Sequence, residues 1–107
     1  MDTSSRITGA TRLMGVIGSY LDHSSSPEIH NAVFEKLGWD YAYVPLDVSE
    51  ENLEAAVRGL EALGFLGYNV AAPHKKRIVP YLHEISRVAE IMGAVNTVVI
   101  QGGRSLG

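Results

Sequence analysis

Short apolar runs alternate along this chain with stretches in which apolar residues recur at helical spacing. The runs predict four strands, at residues 13–18, 39–47, 65–70 and 94–100. Two stretches between them carry one apolar helix face each: Ile29, Ala32, Val33 and Leu37 in the first, and Leu53, Ala56, Val57, Leu60 and Leu63 in the second. Gly38 and Gly64 follow these faces and predict the helix ends.

Serine and proline refine the boundaries of these elements. Ser26 followed by Pro27 predicts an N-cap and then a proline in the first helical position. Ser49 predicts the cap of the second long helix in the same way. Pro45 has no N–H to give to a neighbouring strand, so we expect either that its strand lies at an edge of the sheet or that Pro45 is among the last residues of the strand.

The carboxyl-terminal part completes the predicted fold. After residue 77 the apolar spacing predicts two short helices, the second ended by Gly93, and Gly102 and Gly103 predict a hairpin turn into a returning strand. Alternating strands and helices favour parallel pairing with right-handed crossovers. The sequence therefore predicts an α/β fold with three layers, α-β-α, around a mostly parallel sheet with an antiparallel edge. We place this domain at residues 13–107, after a flexible leader at residues 1–12.

Composition narrows the functional classes. The chain has 107 residues, 46% of them hydrophobic and 20% charged, which is typical of one globular domain. A formal net charge of −3 without a long basic run argues against nucleic-acid binding. No apolar run is long enough to cross a membrane, and the leader lacks the apolar centre of a signal peptide. The absence of cysteine fits the reducing cytoplasm, where we expect the protein.

Polar side chains lie where the predicted strands end, and open α/β sheets bind ligands beyond the carboxyl ends of their strands. Ser24 and Ser26 precede a helix N-terminus, where hydroxyl and free N–H groups together can hold a carboxylate or phosphate. A plain N-cap is the alternative for Ser26. Lys75 follows the third strand after Pro73, and its alternative is an ordinary solvated lysine.

Two asparagines lie in or beside apolar strands. An unpaired amide there costs on the order of 1–3 kcal/mol, so Asn69 and Asn96 each need a partner, either neighbouring backbone or a substrate hydroxyl. The four histidines lack the spacing of metal ligands and read as turn, helix-face or surface residues. No predicted strand is followed by a G-x-G-x-x-G turn, so we expect neither a metal site nor a dinucleotide site in this chain.

Four motifs resemble, in order and spacing, those of one enzyme family. They are H-S-S-S-P from His23, Y-N-V-A-A-P-H-K from Tyr68, G-A-V-N-T-V from Gly93 and G-G-R-S-L-G from Gly102. Together they resemble the amino-terminal substrate domain of shikimate dehydrogenase, and the resemblance covers nearly the whole chain after Arg12. Four motifs in register are much more specific than any one of them.

The resemblance implies reduction of 3-dehydroshikimate to shikimate with NADPH, in the pathway to chorismate and aromatic amino acids. By matching positions, Ser24 and Ser26 would hold the substrate carboxylate, Lys75 would be the catalytic lysine, and Asn96 would bind a ring hydroxyl. Asn69 lies in the same motif as Lys75 and would bind substrate or brace the loop. NADP would be bound by a separate nucleotide-binding domain of the full-length protein, which this chain lacks.

The sequence departs from the family pattern in two places. Ala71 stands where the family's N-V-T motif has a threonine, so quinate or an aminoshikimate becomes a conceivable substrate. The family continues after the last glycine into N-T-D, whose aspartate partners the lysine, so we expect this chain to be a fragment that is inactive alone. The alternative class is a binding or regulatory module that captures a small hydroxylated carboxylate. Folate-linked dehydrogenases have a related sheet, but their motifs fit less well.

Overall fold

Residues 7–107 are the part of the chain that the computed structural model describes, and they form one sheet flanked by helices. The strands are β1 (Arg12–Gly18), β2 (Tyr41–Asp47), β3 (Gly67–Val70), β4 (Thr97–Gln101) and β5 (Arg104–Leu106). The α-helices are α1 (Ser26–Leu37), α2 (Leu53–Leu63), α3 (His74–Arg77) and α4 (Arg87–Met92). Short 3-10 helices lie at Leu21–His23, Glu50–Asn52 and Val79–Tyr81.

The sheet has the strand order β2-β1-β3-β4-β5. β1 pairs in parallel with β2 and β3, whereas β4 is antiparallel to β3 and β5 is antiparallel to β4. The α/β class and the antiparallel edge are thus confirmed, and Pro45 lies on the edge strand β2 as predicted. The antiparallel part begins one strand earlier than the alternation suggested. The connection between β3 and β4 holds helices of only four and six residues, and it brings the chain back beside β3 in the antiparallel direction.

The two faces of the sheet are covered by different helices, which confirms the three layers. Val16 and Tyr43 pack with Phe34 of α1 on one face. Ile17, the next residue of β1, points to the other face and packs in a larger cluster with α2. From α2 this cluster takes Leu53, Val57 and Leu60, as the apolar pattern predicted.

Helix α1 is turned differently from its apolar pattern, and the predicted inward face is wrong. Ile29, Val33 and Leu37 are 59%, 46% and 52% exposed, whereas Phe34 is 6% exposed. Asn31 explains the rotation. Its side-chain Nδ2 donates to the Tyr43 carbonyl, and its Oδ1 accepts from the Tyr43 N–H, both at 2.8 Å. These two bonds supply the outward-facing backbone of the edge strand with partners, so the helix turns Asn31 and Phe34 toward the sheet.

The predicted helix ends are confirmed. Gly38, Gly64 and Gly93 follow α1, α2 and α4 with φ angles of 70°, 76° and 68°, a left-handed conformation that glycine adopts without a steric cost. Ser49 does not cap α2 directly, because the 3-10 turn Glu50–Asn52 comes between them. The two short helices after residue 77 are present as the Val79–Tyr81 turn and α4.

The predicted hairpin is present, and a buried polar contact fastens it to α2. Gly102 and Gly103 have φ angles of 57° and 75° between β4 and β5. Ser105 of β5 is fully buried, and its hydroxyl donates to the Glu61 carboxylate. Arg58 pairs with the same carboxylate at 3.0 Å. A buried carboxylate with these partners is compensated rather than costly.

The amino-terminal segment is described from residue 7 onward. Residues 1–6 of the predicted flexible leader lie outside the described residues, so the leader stays a prediction. The Thr11 hydroxyl donates to the Asp40 carboxylate at 2.7 Å, directly before β1 begins. Within residues 7–107 no helix combines the length and apolar character needed to span a bilayer.

Candidate functional site

Three segments that carry the candidate residues meet at one edge of the sheet, beyond the carboxyl ends of β1 and β3. The Ser19 N–H donates to the Ala72 carbonyl at 3.2 Å, which joins the loops after these two strands. The Val70 N–H donates to the Asn96 carbonyl at 2.8 Å, which brings the start of β4 to the end of β3. Because β4 is antiparallel, its amino end lies at this edge, and Asn96 directly precedes it.

Ser24 and Ser26 lie at the start of the 12-residue helix α1. Ser25 occupies the N-cap position without a side-chain cap bond, so the prediction of Ser26 as N-cap is wrong. The Ser24 hydroxyl instead accepts the Ser26 N–H at 3.3 Å, which gives Ser24 a role in capping the start of the helix. Its own proton remains available to a ligand. Two half-buried hydroxyls therefore lie at the positive end of a long helix, where an anion is stabilised.

Lys75 is exposed in α3, and its side chain makes no hydrogen bond or ion pair within residues 7–107. Its backbone is fixed, because the Lys75 carbonyl accepts the Val95 N–H at 2.9 Å. The preceding His74 is fully buried, and its Nε2 donates to the Val48 carbonyl at 2.6 Å. Of the turn, helix-face and surface positions that we predicted for the histidines, His74 has a helix-face position in α3, and this face is buried with a carbonyl after β2 as its partner. This anchor holds the base of the lysine helix to the sheet.

The two asparagines differ in their partners. Asn69 Oδ1 accepts the Tyr43 hydroxyl at 2.6 Å, and Asn69 Nδ2 donates to Thr97 Oγ1 at 3.0 Å. Its partners are therefore side chains, which is neither of the two alternatives that the sequence left open. Asn96 is exposed, and its side chain has no hydrogen bond in the described part of the chain. It lies just before β4 rather than inside the strand.

Tyr43 and Thr97 are functional-site candidates that sequence reasoning missed. Tyr43 is 3% exposed on β2, and burial raises the pKa of its phenol, which therefore stays a hydrogen-bond donor at neutral pH. A tyrosine in an alternating strand resembles any core aromatic, so the sequence pattern did not indicate a role for Tyr43 in the site. Thr97 directly follows Asn96 in the motif, and that adjacency was the available signal.

The edge is open rather than enclosed. A cavity of about 890 Å³ lies next to the Glu50–Asn52 turn, lined by Ser19, Tyr20, Ser49, Glu50, Glu51, Ala72, Pro73 and Arg77. Ser24, Asn69 and Lys75 line three separate smaller cavities. The fold thus brings the candidate segments to one edge without closing their side chains around a single cavity. Residues 7–107 contain no cluster of three or more side chains that could hold a metal ion.

Comparison with known proteins gives consistent relatives. The curated shikimate dehydrogenase (NADP(+)) of Rubrobacter xylanophilus is 54% identical over 101 residues, which cover 94% of this chain and 36% of that protein. The crystal structure of shikimate 5-dehydrogenase from Listeria monocytogenes, in complex with shikimate and NAD, superposes with a TM-score of 0.92 at 45% identity, over 95% of this chain and 35% of the other. The structure of the 5-ketofructose reductase of a Gluconobacter strain superposes with a TM-score of 0.90 at 29% identity. The match covers 94% of this chain and 36% of the reductase.

These matches define the family and its extent. The chain spans about a third of the length of the curated relatives it matches. The family model described as the shikimate dehydrogenase substrate binding domain matches residues 16–98, which include all five candidate residues. The chain therefore belongs to the shikimate dehydrogenase substrate-binding domain family.

Proposed function

We propose that this chain is the substrate-binding and lysine-bearing domain of a cytoplasmic, NADP-dependent shikimate dehydrogenase. The reaction is reduction of 3-dehydroshikimate to shikimate, on the way to chorismate and aromatic amino acids. The observation that supports the proposal is that the segments bearing the serine pair, Lys75 and Asn96 lie at the same end of the sheet, beyond the carboxyl ends of β1 and β3. All of these positions lie within the matched family domain. The named activity of the relatives supports the same reaction.

The serine pair fits one end of this substrate. Shikimate and 3-dehydroshikimate carry a carboxylate on the ring, and α1 points its positive end at the Ser24 and Ser26 hydroxyls. The Ser24 hydroxyl accepts from the Ser26 N–H and can still donate its proton to the carboxylate. Each charge-assisted bond of this kind is worth roughly 1.5–3 kcal/mol. The carboxylate end would therefore set the orientation of the ring.

Lys75 fits the reacting end. When bound, NADPH supplies the hydride that reaches the carbonyl carbon, and residues 7–107 offer no dinucleotide-binding turn, so we place the cofactor in a further domain of the protein. As negative charge grows on the substrate oxygen, the Lys75 ammonium stabilises it and then donates the proton that completes the hydroxyl. The neutral amine is reprotonated from water. The anchored backbone of His74 and Lys75 lowers the entropic cost of holding the ammonium in place.

Asn96 and Asn69 fit the hydroxylated side of the ring. The Asn96 amide is exposed at the edge and offers both a donor and an acceptor to a ring hydroxyl. Asn69 has one amide proton and one lone pair left beyond its bonds to Tyr43 and Thr97. We infer that Asn96 binds a ring hydroxyl directly and that Asn69 can add one bond as a donor and one as an acceptor.

A second substrate class has support at Ala71. The methyl group of Ala71 packs beside the cluster of Val16, Phe34 and Tyr43, so this position offers no hydroxyl to the substrate. A neighbouring fold at 29% identity belongs to a 5-ketofructose reductase, which acts on a different ketone. We therefore propose quinate and aminoshikimate, assayed by their oxidation with NADP+, and 5-ketofructose, assayed by its reduction with NADPH, as the alternative substrates to compare with shikimate and 3-dehydroshikimate.

The test is a hybrid enzyme in which this chain replaces the matching segment of the Rubrobacter protein. We expect 3-dehydroshikimate-dependent oxidation of NADPH by the hybrid and none by the 107-residue chain alone. Lys75→Met should lower kcat at least about a hundredfold with a smaller change in KM, because it removes charge and proton while keeping volume. Lys76→Met is the matched control and should change kcat little. Equal losses in both variants, or an effect on KM alone, would refute the role of Lys75.

A further inference from the structure

We propose that Tyr43 is a positioning residue for the substrate site: through Asn69 and Thr97, its hydroxyl sets the spacing between the end of β3 and the start of β4. Lys75 follows the first of these strand ends and Asn96 precedes the second. This inference rests on the proposed function and goes beyond it, because Tyr43 lies on a strand that carries none of the candidate substrate contacts.

The geometry requires a side chain of this length. β1 lies between β2 and β3, so Tyr43 and Asn69 belong to strands roughly 9–10 Å apart. The phenol spans β1 on the α1 face and donates to Asn69 Oδ1 at 2.6 Å. Asn69 Nδ2 continues the chain to Thr97 Oγ1 at 3.0 Å on β4. Side chains of three strands, β2, β3 and β4, are thereby connected by hydrogen bonds on one face, across β1.

The Tyr43 ring is itself held from several sides. The backbone N–H and carbonyl of Tyr43 are both bonded to the side chain of Asn31. His30 stacks on the Tyr43 ring with a centroid distance of 4.2 Å and an interplanar angle of 6°. His30 Nδ1 in turn donates to the Ser26 carbonyl at 2.9 Å. The network therefore begins at the helix turn that carries the serine pair and ends beside Asn96.

The Tyr43 and Thr97 hydroxyls hold the two ends of the Asn69 amide. The phenol O–H donates to the amide oxygen, and the amide nitrogen donates to Thr97 Oγ1. Without the Tyr43 hydroxyl, the amide is held at one end only. Asn69 and Thr97 lie opposite each other in the register of β3 and β4. The bond between their side chains therefore joins the end of β3 directly to the start of β4.

The test measures shikimate binding to the 107-residue chain by NMR titration. Tyr43→Phe removes only the hydroxyl and should weaken binding roughly five- to tenfold, the effect of one hydrogen bond. Thr97→Val should weaken it similarly, whereas Thr97→Ser keeps a hydroxyl and should bind like the wild type. Thr97 is exposed, so its variants remain informative even if Tyr43→Phe unfolds the chain. Thermal unfolding of each variant is recorded in parallel.

A double-mutant cycle separates positioning from a loss of stability. If both hydroxyls act through Asn69, the Tyr43→Phe and Thr97→Val double variant should bind about as well as either single variant, because the chain is already broken. Fully additive losses in affinity, or unchanged affinity in folded Tyr43→Phe and Thr97→Val, would overturn the positioning role while leaving the proposed function intact. Absence of shikimate binding by the wild-type chain would overturn both.

Discussion

Gly18 ends β1 at the point where two loops of the site touch, and replacing it tests whether their close approach matters. A Cβ added there would lie 2.9 Å from the Ala71 Cβ, 3.0 Å from Leu21 Cδ2 and 3.3 Å from the Ala72 carbonyl oxygen. Non-bonded carbons pack at roughly 3.5–4.0 Å. Gly18→Ala must therefore push the loop after β3 away from β1 by somewhat under about 1 Å.

We expect Gly18→Ala to lower both the stability of the protein and the rate of the reaction. Forcing a methyl into a packed contact destabilises a protein by about 1–3 kcal/mol. A displacement of about 1 Å at a site that positions substrate can lower the rate up to roughly a hundredfold. We expect kcat/KM of the hybrid enzyme for 3-dehydroshikimate to fall roughly 30- to 100-fold in Gly18→Ala, as measured by NADPH oxidation, with urea unfolding of the 107-residue chain recorded beside it.

Gly59→Ala is the matched control. Gly59 lies inside α2, and a Cβ there would meet no atom within 4 Å. Alanine should stabilise the helix by about 0.5–1 kcal/mol and leave kcat/KM unchanged. If Gly18→Ala retained wild-type kcat/KM, the claim that the loops after β1 and β3 jointly form the site would be refuted.

Two further expectations concern the fold that supports the site. Phe34→Ala should lower the free energy of unfolding, measured in urea titrations, by about 3–5 kcal/mol. Ile29→Ala, at an exposed position, should lower it by less than about 0.5 kcal/mol. If Ile29→Ala were the more destabilising variant, α1 would have to face the sheet with its other side. Burial, with a smaller contribution from the Glu61 charge, raises the pKa of Tyr68. Unfolded tyrosine therefore loses its proton first, and stability should fall above about pH 10 by up to about 1.4 kcal/mol per pH unit for this residue. Tyr68→Phe should reduce that alkaline slope, and an unchanged slope would contradict the pKa shift.

Local chemistry explains why much of the fold could be predicted from sequence. Gly38, Gly64 and Gly93 follow the ends of three helices because glycine adopts positive φ without a steric cost, whatever residues lie further away. Gly102 and Gly103 determine the hairpin in the same way, and Pro45 marks the edge strand through its missing N–H. Features of this kind need no knowledge of distant residues.

Features set by distant partners could not be read in this way. The helical spacing of α1 offered Ile29, Val33 and Leu37 as the buried face, but Asn31 bonds to the backbone of β2 and turns Phe34 inward. The direction of β4 depends on the path of the connection after β3, and apolar spacing does not encode that path.

The candidate site shows the same division. Ser24, Ser26, Lys75 and Asn96 were found because their motifs lie at predicted strand or helix ends, and the fold brings them to one edge. The Tyr43 hydroxyl was missed, because its bond to Asn69 joins residues 26 positions apart across an intervening strand. Hydrogen-bond partners at such separations become visible only once the sheet order is known.

The most direct test of the proposed substrate site is to map where shikimate binds on this chain. In an NMR titration of the 107-residue chain, we expect shikimate to shift the backbone amides of residues 24–29, 71–76 and 96–97, with little change in α2 or the β4–β5 turn. Methyl shikimate, which lacks the carboxylate charge, should lose most of the effect at residues 24–29. Shifts that leave residues 24–29 untouched, or that centre on α2 and the hairpin, would contradict a substrate site at this edge of the sheet.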